Sequence, residues 1–174
     1  MAIRKIVLEG DPCLLRPCRQ VTDFGPRIHG LLDDMADTLI EAHGAGLAAP
    51  QVGVLRRVAI VLIEEREEDE AEDEEDAVSM HFVELLNPEI IAFEGEEVAW
   101  EGCLSLPGKH GRVTRPSKVT VRAQDRFGTW FELTAEGFEA RAFCHEIDHL
   151  DGKLYTRLVE GGLYDSDALP EDDD

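Results

Sequence analysis

The stretch AEGFEARAFCHEIDHLDG, residues 135–152, decides the fold of this 174-residue chain. Wound as a helix, it presents two apolar stripes rather than one. Ala140, Phe143, Ile147 and Leu150 form the first, and Phe138, Ala142, His145 and His149 the second. A helix apolar on two sides is buried on both, so this segment is expected to be a central helix that ends at Gly152. Its two histidines stand four apart, one above the other, where both imidazoles can bind a single ion. Glu146 beside them can take a proton from water that such an ion activates.

Upstream, residues 26–43 carry Ile28, Leu31, Leu32, Met35, Leu39 and Ala42 on one stripe. They predict an N-terminal helix, with Asp23 as a cap or turn near its start and Gly44 at its stop. The apolar, β-branched run at 58–63 predicts a strand, and shorter strands are expected at 82–86, 89–93, 118–123 and 129–133. Asp125, Arg126, Phe127 and Gly128 have turn chemistry that joins the last two as a hairpin. The expected class is α+β: antiparallel β-sheets of short strands around the central C-terminal helix, with an N-terminal helix.

The length suits one domain with a core that needs no disulfides. The apolar fraction of 43% is ordinary, but the formal net charge of −21 is not. Residues 64–76 hold 11 acids in 13 positions, and residues 165–174 hold six more. Outside these two stretches 21 acids face 16 lysines and arginines, an ordinary balance for a soluble domain. Dense like charge with nothing to bury predicts a disordered loop insertion at 64–76 and an acidic tail at 164–174, around a single domain at 1–163. The N-terminal residues reach Glu9 before any apolar stretch long enough for a signal peptide, so none is expected, and no run in the sequence approaches the ~20 apolar residues of a membrane span. Cys13, Cys18, Cys103 and Cys144 form no paired metal-knuckle spacing, and in a chain that reads as soluble and cytoplasmic they are expected to be thiols.

A catalytic metal site usually takes three protein ligands and leaves a position for water. Peptidases of the extended HExxHxxGxxH type carry a further histidine six residues after the second, where this chain has Tyr155. Glu160 is a weak alternative, unusually close along the chain. Cys103, in the stretch EGCLSLP at 101–107, is the better candidate, since thiolates are strong ligands for zinc and ferrous iron. Cys144 lies about 100° around the helix from His145 and is expected to pack or to sit behind the ligands. The stretch GAGLAAPQVG at 44–53 mimics a dinucleotide fingerprint, but it follows a helix and leads into a strand, the reverse of what that motif needs. Its small residues instead allow close backbone approach, and Gln51 offers a neutral amide to a developing oxyanion.

The three segments GAGLAAPQ (44–51), EGCLS (101–105) and HEIDHL (145–150) resemble, in order and separation, the signature motifs of bacterial peptide deformylases. GDPCL (10–14) and LLNP (85–88) are also familial, so the similarity covers about residues 3 to 160. The resemblance implies removal of the formyl group from the N-terminal formyl-methionine of nascent polypeptides, with release of formate. It implies Cys103, His145 and His149 as metal ligands and Glu146 as the acid/base. Gln51 and the Leu104 backbone N–H match the oxyanion donors, and Gly46 the glycine that meets the bound substrate. The cofactor implied is one divalent cation, ferrous iron in cells, with zinc, nickel or cobalt as substitutes. Ala45, Phe138 and Ala142 are the expected lining of a pocket for the methionine side chain. The resemblance also suggests that Glu101 and Arg115 pair to steady the Cys103 loop, against the alternative of two solvated charges.

Cys144 stands where the family often has glutamine, and the acidic stretch at 64–76 is not part of the family core. The acidic residues at 165–174 do not resemble the basic helix that some members dock on the ribosome, and a strongly negative chain is repelled by ribosomal RNA, so docking by that route is not expected. Any ribosome contact is left to basic ribosomal proteins or diffusion, with no nucleic-acid or membrane partner expected. Two other classes remain open at this point: another metallopeptidase or metal-dependent amidase using the same helix, and an inactive metal-binding interaction protein. Tyr155 and the Cys103 motif argue against the first, and Gln51 with Glu146 against the second.

Overall fold

The computed structural model describes residues 2–66 and 78–170. Helix α1 (Pro26–Ala42) starts with a proline, whose missing N–H costs nothing at a helix start, and Gly25 is its cap. Asp23 acts one step earlier, its Oδ1 accepting from the Gly25 N–H at 3.0 Å. The helix ends when His43 takes a left-handed conformation (φ 53°), one residue before the expected Gly44. Leu31, Leu32, Met35 and Leu39 form its buried stripe.

Eight strands follow among the described residues. Five make one antiparallel sheet in the order β1 (Gly46–Ala48), β2 (Val58–Arg66), β3 (Val78–Glu94), β6 (Lys118–Gln124), β7 (Trp130–Glu136). Three make a second, in the order β4 (Glu97–Cys103), β5 (Leu106–Arg115), β8 (Val159–Asp165). The two strands expected at 82–86 and 89–93 are one long strand. β3 runs through Asn87 and Pro88 on an irregularity where Asn87 adopts φ 50°. The β6–β7 hairpin is as expected, its turn held by Asp125 Oδ1 accepting from the N–H groups of Phe127 and Thr129, both at 2.9 Å.

Two boundaries need correction. The acidic stretch at 64–76 does not begin as a loop: its first three residues continue β2, paired to β3 at Glu64 and Glu65. Residues 67–76 lie outside the described residues. The boundary drawn between 163 and 164 falls inside β8, where a polar, Gly-rich sequence is recruited to pair with β5. The last four acidic residues lie outside the described residues.

Helix α2 (Gly137–Leu150) begins two residues later than expected, because Ala135 and Glu136 finish β7 and Gly137 (φ 58°) turns the chain. Its stripe of Ala140, Phe143, Ile147 and Leu150 packs on Ala59, Val61, Leu85, Val119 and Val121 of the five-stranded sheet. α1 covers Leu47, Val58, Ile60 and Leu86 in a second cluster. The three-stranded sheet has its own small core, Leu106, Val113 and Tyr155. The second face of α2 thus lies toward the junction of the two sheets, the ground on which the chemistry-bearing residues meet.

Candidate metal centre

Cys103 comes from the end of β4, and His145 and His149 from α2. Their sulfur and ring-nitrogen atoms all lie within 4.8 Å of one another, close enough to share one ion. His145 Nε2 and His149 Nε2 are 3.1 Å apart, and Cys103 Sγ is 3.4 Å from His149 Nε2. Tetrahedral bonds of ~2.0–2.1 Å to nitrogen and ~2.3 Å to sulfur would separate two nitrogens by roughly 3.3 Å and nitrogen from sulfur by about 3.6 Å. The donor set fits a divalent cation in both chemistry and spacing.

The protein holds these three side chains from behind. Glu101, two residues before Cys103, is buried and accepts from His145 Nδ1 at 2.5 Å, which turns Nε2 of that ring toward the centre. Arg115 donates to the same carboxylate from Nη2 (2.7 Å) and Nε (3.2 Å), and from Nη1 to Asp148 at 2.6 Å. The pair is therefore buried, not two solvated charges. Burial alone would raise the Glu101 pKa, but the bonds from His145 and Arg115 outweigh it and pull the carboxyl down to about 2. Burial lowers His149, favouring the neutral imidazole a ligand must be. It acts on His145 in the same sense, but Cys103 and Glu101 overcome it and hold that ring up.

Glu146 is buried, its Oε2 has no hydrogen-bond partner, and burial lifts its carboxyl to about 7. A carboxyl so tuned can both take and return a proton near neutral pH. Gly46 explains how β1 passes so close. A methyl group there would lie 2.5 Å from Glu146 Oε1. Gln51 is buried and oriented: its Oε1 accepts from the Ala48 N–H at 2.9 Å. Its Nε2 is left to face Ser105 Oγ (3.2 Å) and Cys103 Sγ (3.5 Å), beside the centre.

These groups open onto a cleft of about 530 Å³. Ala45, Gly46, Leu104, Phe138 and Ala142 all line it, as do Gln51, Cys103, His145 and Glu146. Phe138 is a rim residue, 67% exposed, and not the floor of a pocket. Tyr155 supplies no ligand; its ring stacks on His145 at 5.8 Å. Glu160 accepts from Thr114 and takes no part in the centre. Cys144 and Cys18 both pack in the main core. Arg141 was not anticipated. Its guanidinium donates to Glu101 Oε2 (3.0 Å), the Val113 carbonyl (2.9 Å) and the Glu97 carbonyl (2.8 Å). Its position four residues before His145 was the available signal, but an arginine on a helix is ordinarily a surface residue.

Residues 3–161 match the family model described as polypeptide deformylase. The chain is 46% identical over 165 residues to a peptide deformylase of Agathobacter rectalis, covering 95% of each. With one of Caldicellulosiruptor bescii it shares 51% over 159 residues, covering 91% of this chain and 87% of that one. A crystal structure of a peptide deformylase from Legionella pneumophila superposes with a TM-score of 0.79 at 41% identity, covering 92% of this chain and 88% of the other.

Proposed function

The chain belongs to the polypeptide deformylase family, and from that premise we propose that Cys103, His145 and His149 hold the divalent cation with which it works. The enzyme removes the N-formyl group from the formyl-methionine that begins nascent polypeptides, releasing formate and a free amine. The observation that carries the site assignment is the convergence of one sulfur and two imidazole nitrogens beside a buried, partnerless carboxylate oxygen. Ferrous iron is the cation we assign in cells, with zinc, nickel or cobalt as substitutes, because a mixed thiolate and imidazole set suits all four. Such a cation supplies Lewis acidity, bringing water toward ionisation near neutral pH and polarising the formyl carbonyl.

The chain's own residues do the rest. Glu146 accepts the proton of the attacking water and delivers it to the amine nitrogen as the C–N bond breaks. Gln51 Nε2, with the Leu104 backbone N–H as companion, donates to the formyl oxygen as negative charge gathers on it. One such donor is worth ~2.7–4 kcal/mol of barrier. The edge of β1 that β2 leaves free, at Gly46, receives the extended substrate backbone. Ala45, Ala142 and the rim residue Phe138 take the methionine side chain.

In this reading α2 is the central helix of the catalytic unit, which takes in residues 1–163 together with Tyr164 and Asp165, the last two residues of β8. No helix among the described residues is long and apolar enough to cross a membrane. We assign the enzyme to the cytoplasm, where formylated chains are made, with ribosome encounters through basic proteins or diffusion. The test uses protein loaded anaerobically with ferrous iron and a formyl-methionyl peptide, assayed for formate before and after chelation. Glu146→Ala is expected to keep its cation while turnover falls at least 10²-fold. Loss of the cation from that variant, or undiminished turnover, would refute the role of Glu146.

A further inference from the structure

We propose that Arg141 is a positioning residue that sets the gap between α2 and the β4–β5 hairpin, and with it the coordination geometry of the cation. The proposal rests on the assignment of Cys103, His145 and His149 as ligands, since its purpose is to bring two of them to the third. Apolar packing does not do this. The stripe of α2 is spent on the five-stranded sheet, and the three-stranded sheet keeps a separate small core. The two are joined across the ligands largely by polar groups.

Arg115 on β5 spans the gap from the sheet side, to Asp148 of α2 and to Glu101, and Arg141 spans it from the helix side, reaching both strands of the hairpin. Arg141 is 5% exposed and stands on α2 one turn before His145. Nη1 reaches Glu101 Oε2 on β4 and the main-chain carbonyl of Val113 on β5, while Nη2 reaches the carbonyl of Glu97 at the start of β4. The other oxygen of Glu101 is held by His145 Nδ1. Residues four apart on one helix therefore grip the two oxygens of one carboxylate, and that carboxylate lies two residues from Cys103. The separation of the histidine and cysteine ligands is fixed through this grip. A lysine could not replace it, because one ammonium on a flexible stem cannot meet three acceptors arranged around a planar fork. Both terminal nitrogens of the guanidinium are turned to protein acceptors, although the residue borders the cleft.

The experiment compares wild-type protein with Arg141→Lys and Arg141→Ala, each loaded with cobalt. The readouts are the visible cobalt spectrum, the rate of cobalt loss to excess chelator, thermal melting, and kcat and KM on a formyl-methionyl peptide. Both variants are expected to lose cobalt 10- to 100-fold faster, with an altered spectrum and a reduced kcat at a KM within about threefold of wild type. Methylguanidinium is expected to restore part of the spectrum and of kcat to Arg141→Ala. Arg141→Lys keeps the charge and most of the bulk, and reports the same loss if Arg141→Ala does not fold. A wild-type spectrum and release rate with a raised KM would overturn the proposal and make Arg141 a wall of the cleft. Lowered melting with unchanged cobalt release would also overturn it, leaving a purely structural role. Wild-type protein that binds cobalt but releases no formate would refute the activity and not the role of Arg141, which the spectrum and release rate still decide.

Discussion

Gly46 shows how little room the centre leaves at the scale of a single residue. Alanine there would put a methyl group 2.5 Å from Glu146 Oε1 and 2.9 Å from two further Glu146 atoms, so the carboxylate must move. A displacement of about 1 Å in a catalytic group costs on the order of 10²-fold in rate. Gly46→Ala is therefore expected to lower kcat by about that factor while melting and cation content stay near wild type. Steady-state formate release and a thermal melt check it, and an unimpaired kcat would remove Gly46 from the account. The residues whose chemistry is stated by spacing were legible in the sequence: His145 and His149 by their four-residue interval, Glu146 by its place between them. Gln51 and Cys103 were legible in company with those three. Arg141 was not, since two of its three acceptors are main-chain carbonyls at 97 and 113, and a carbonyl has no letter in the sequence.

Among the elements that the sequence does predict, β3 departs furthest from expectation, and Asn87 is the reason. The run of strand residues is interrupted by Asn87 and Pro88, which in sequence look like a turn. In the fold, Asn87 takes a left-handed conformation and its side chain replaces the missing ladder bonds. It accepts from the Val21 N–H (2.7 Å) and donates to the Val21 carbonyl (2.9 Å) and to Gln124 (2.8 Å). Asn87→Ala strips a buried N–H and C=O of their partners and is expected to destabilise the protein by about 2–4 kcal/mol. Chemical denaturation measures this directly, and a change below about 0.5 kcal/mol would mean that the bulge is held by other contacts. The strands β4, β5 and β8 went unread for a related reason. They are rich in glycine and charge, and much of each faces solvent, so the alternation that marks a half-buried strand is diluted. β2 and β6 face a full core, and β7 alternates strictly between exposed residues and buried or half-buried ones, so these three announce themselves.

Taken whole, the molecule carries a formal charge of −21, which acts on substrates before any contact is made. Peptides bearing lysines after the formyl-methionine are expected to show a several-fold higher kcat/KM than otherwise equal peptides bearing glutamates. The ratio should fall toward one as salt rises from ~0.01 M to ~1 M and the screening length shrinks from about 30 Å to about 3 Å. A ratio that ignores salt would locate the discrimination in the cleft instead of the field. The composition made this charge plain at the outset, and its division into two stretches was equally plain. Their borders were not, because strand pairing recruits Glu64, Glu65 and Asp165 irrespective of charge.

The origin of the three donors, one from β4 of the three-stranded sheet and two from the helix packed on the five-stranded sheet, has a mechanical consequence. On the proposed ligand assignment, an ion held by Cys103, His145 and His149 would rivet two half-structures whose greasy interiors barely merge, and it could be gripped only once both have assembled. Folded protein is then favoured by mass action, by about 2.7 kcal/mol when free ion stands at a hundred times its dissociation constant. For a chain of this length that amounts to roughly 5–10 °C in melting temperature. Chelator should take those degrees away and open the seam to proteases, with the first cuts falling in the β4–β5–β8 half.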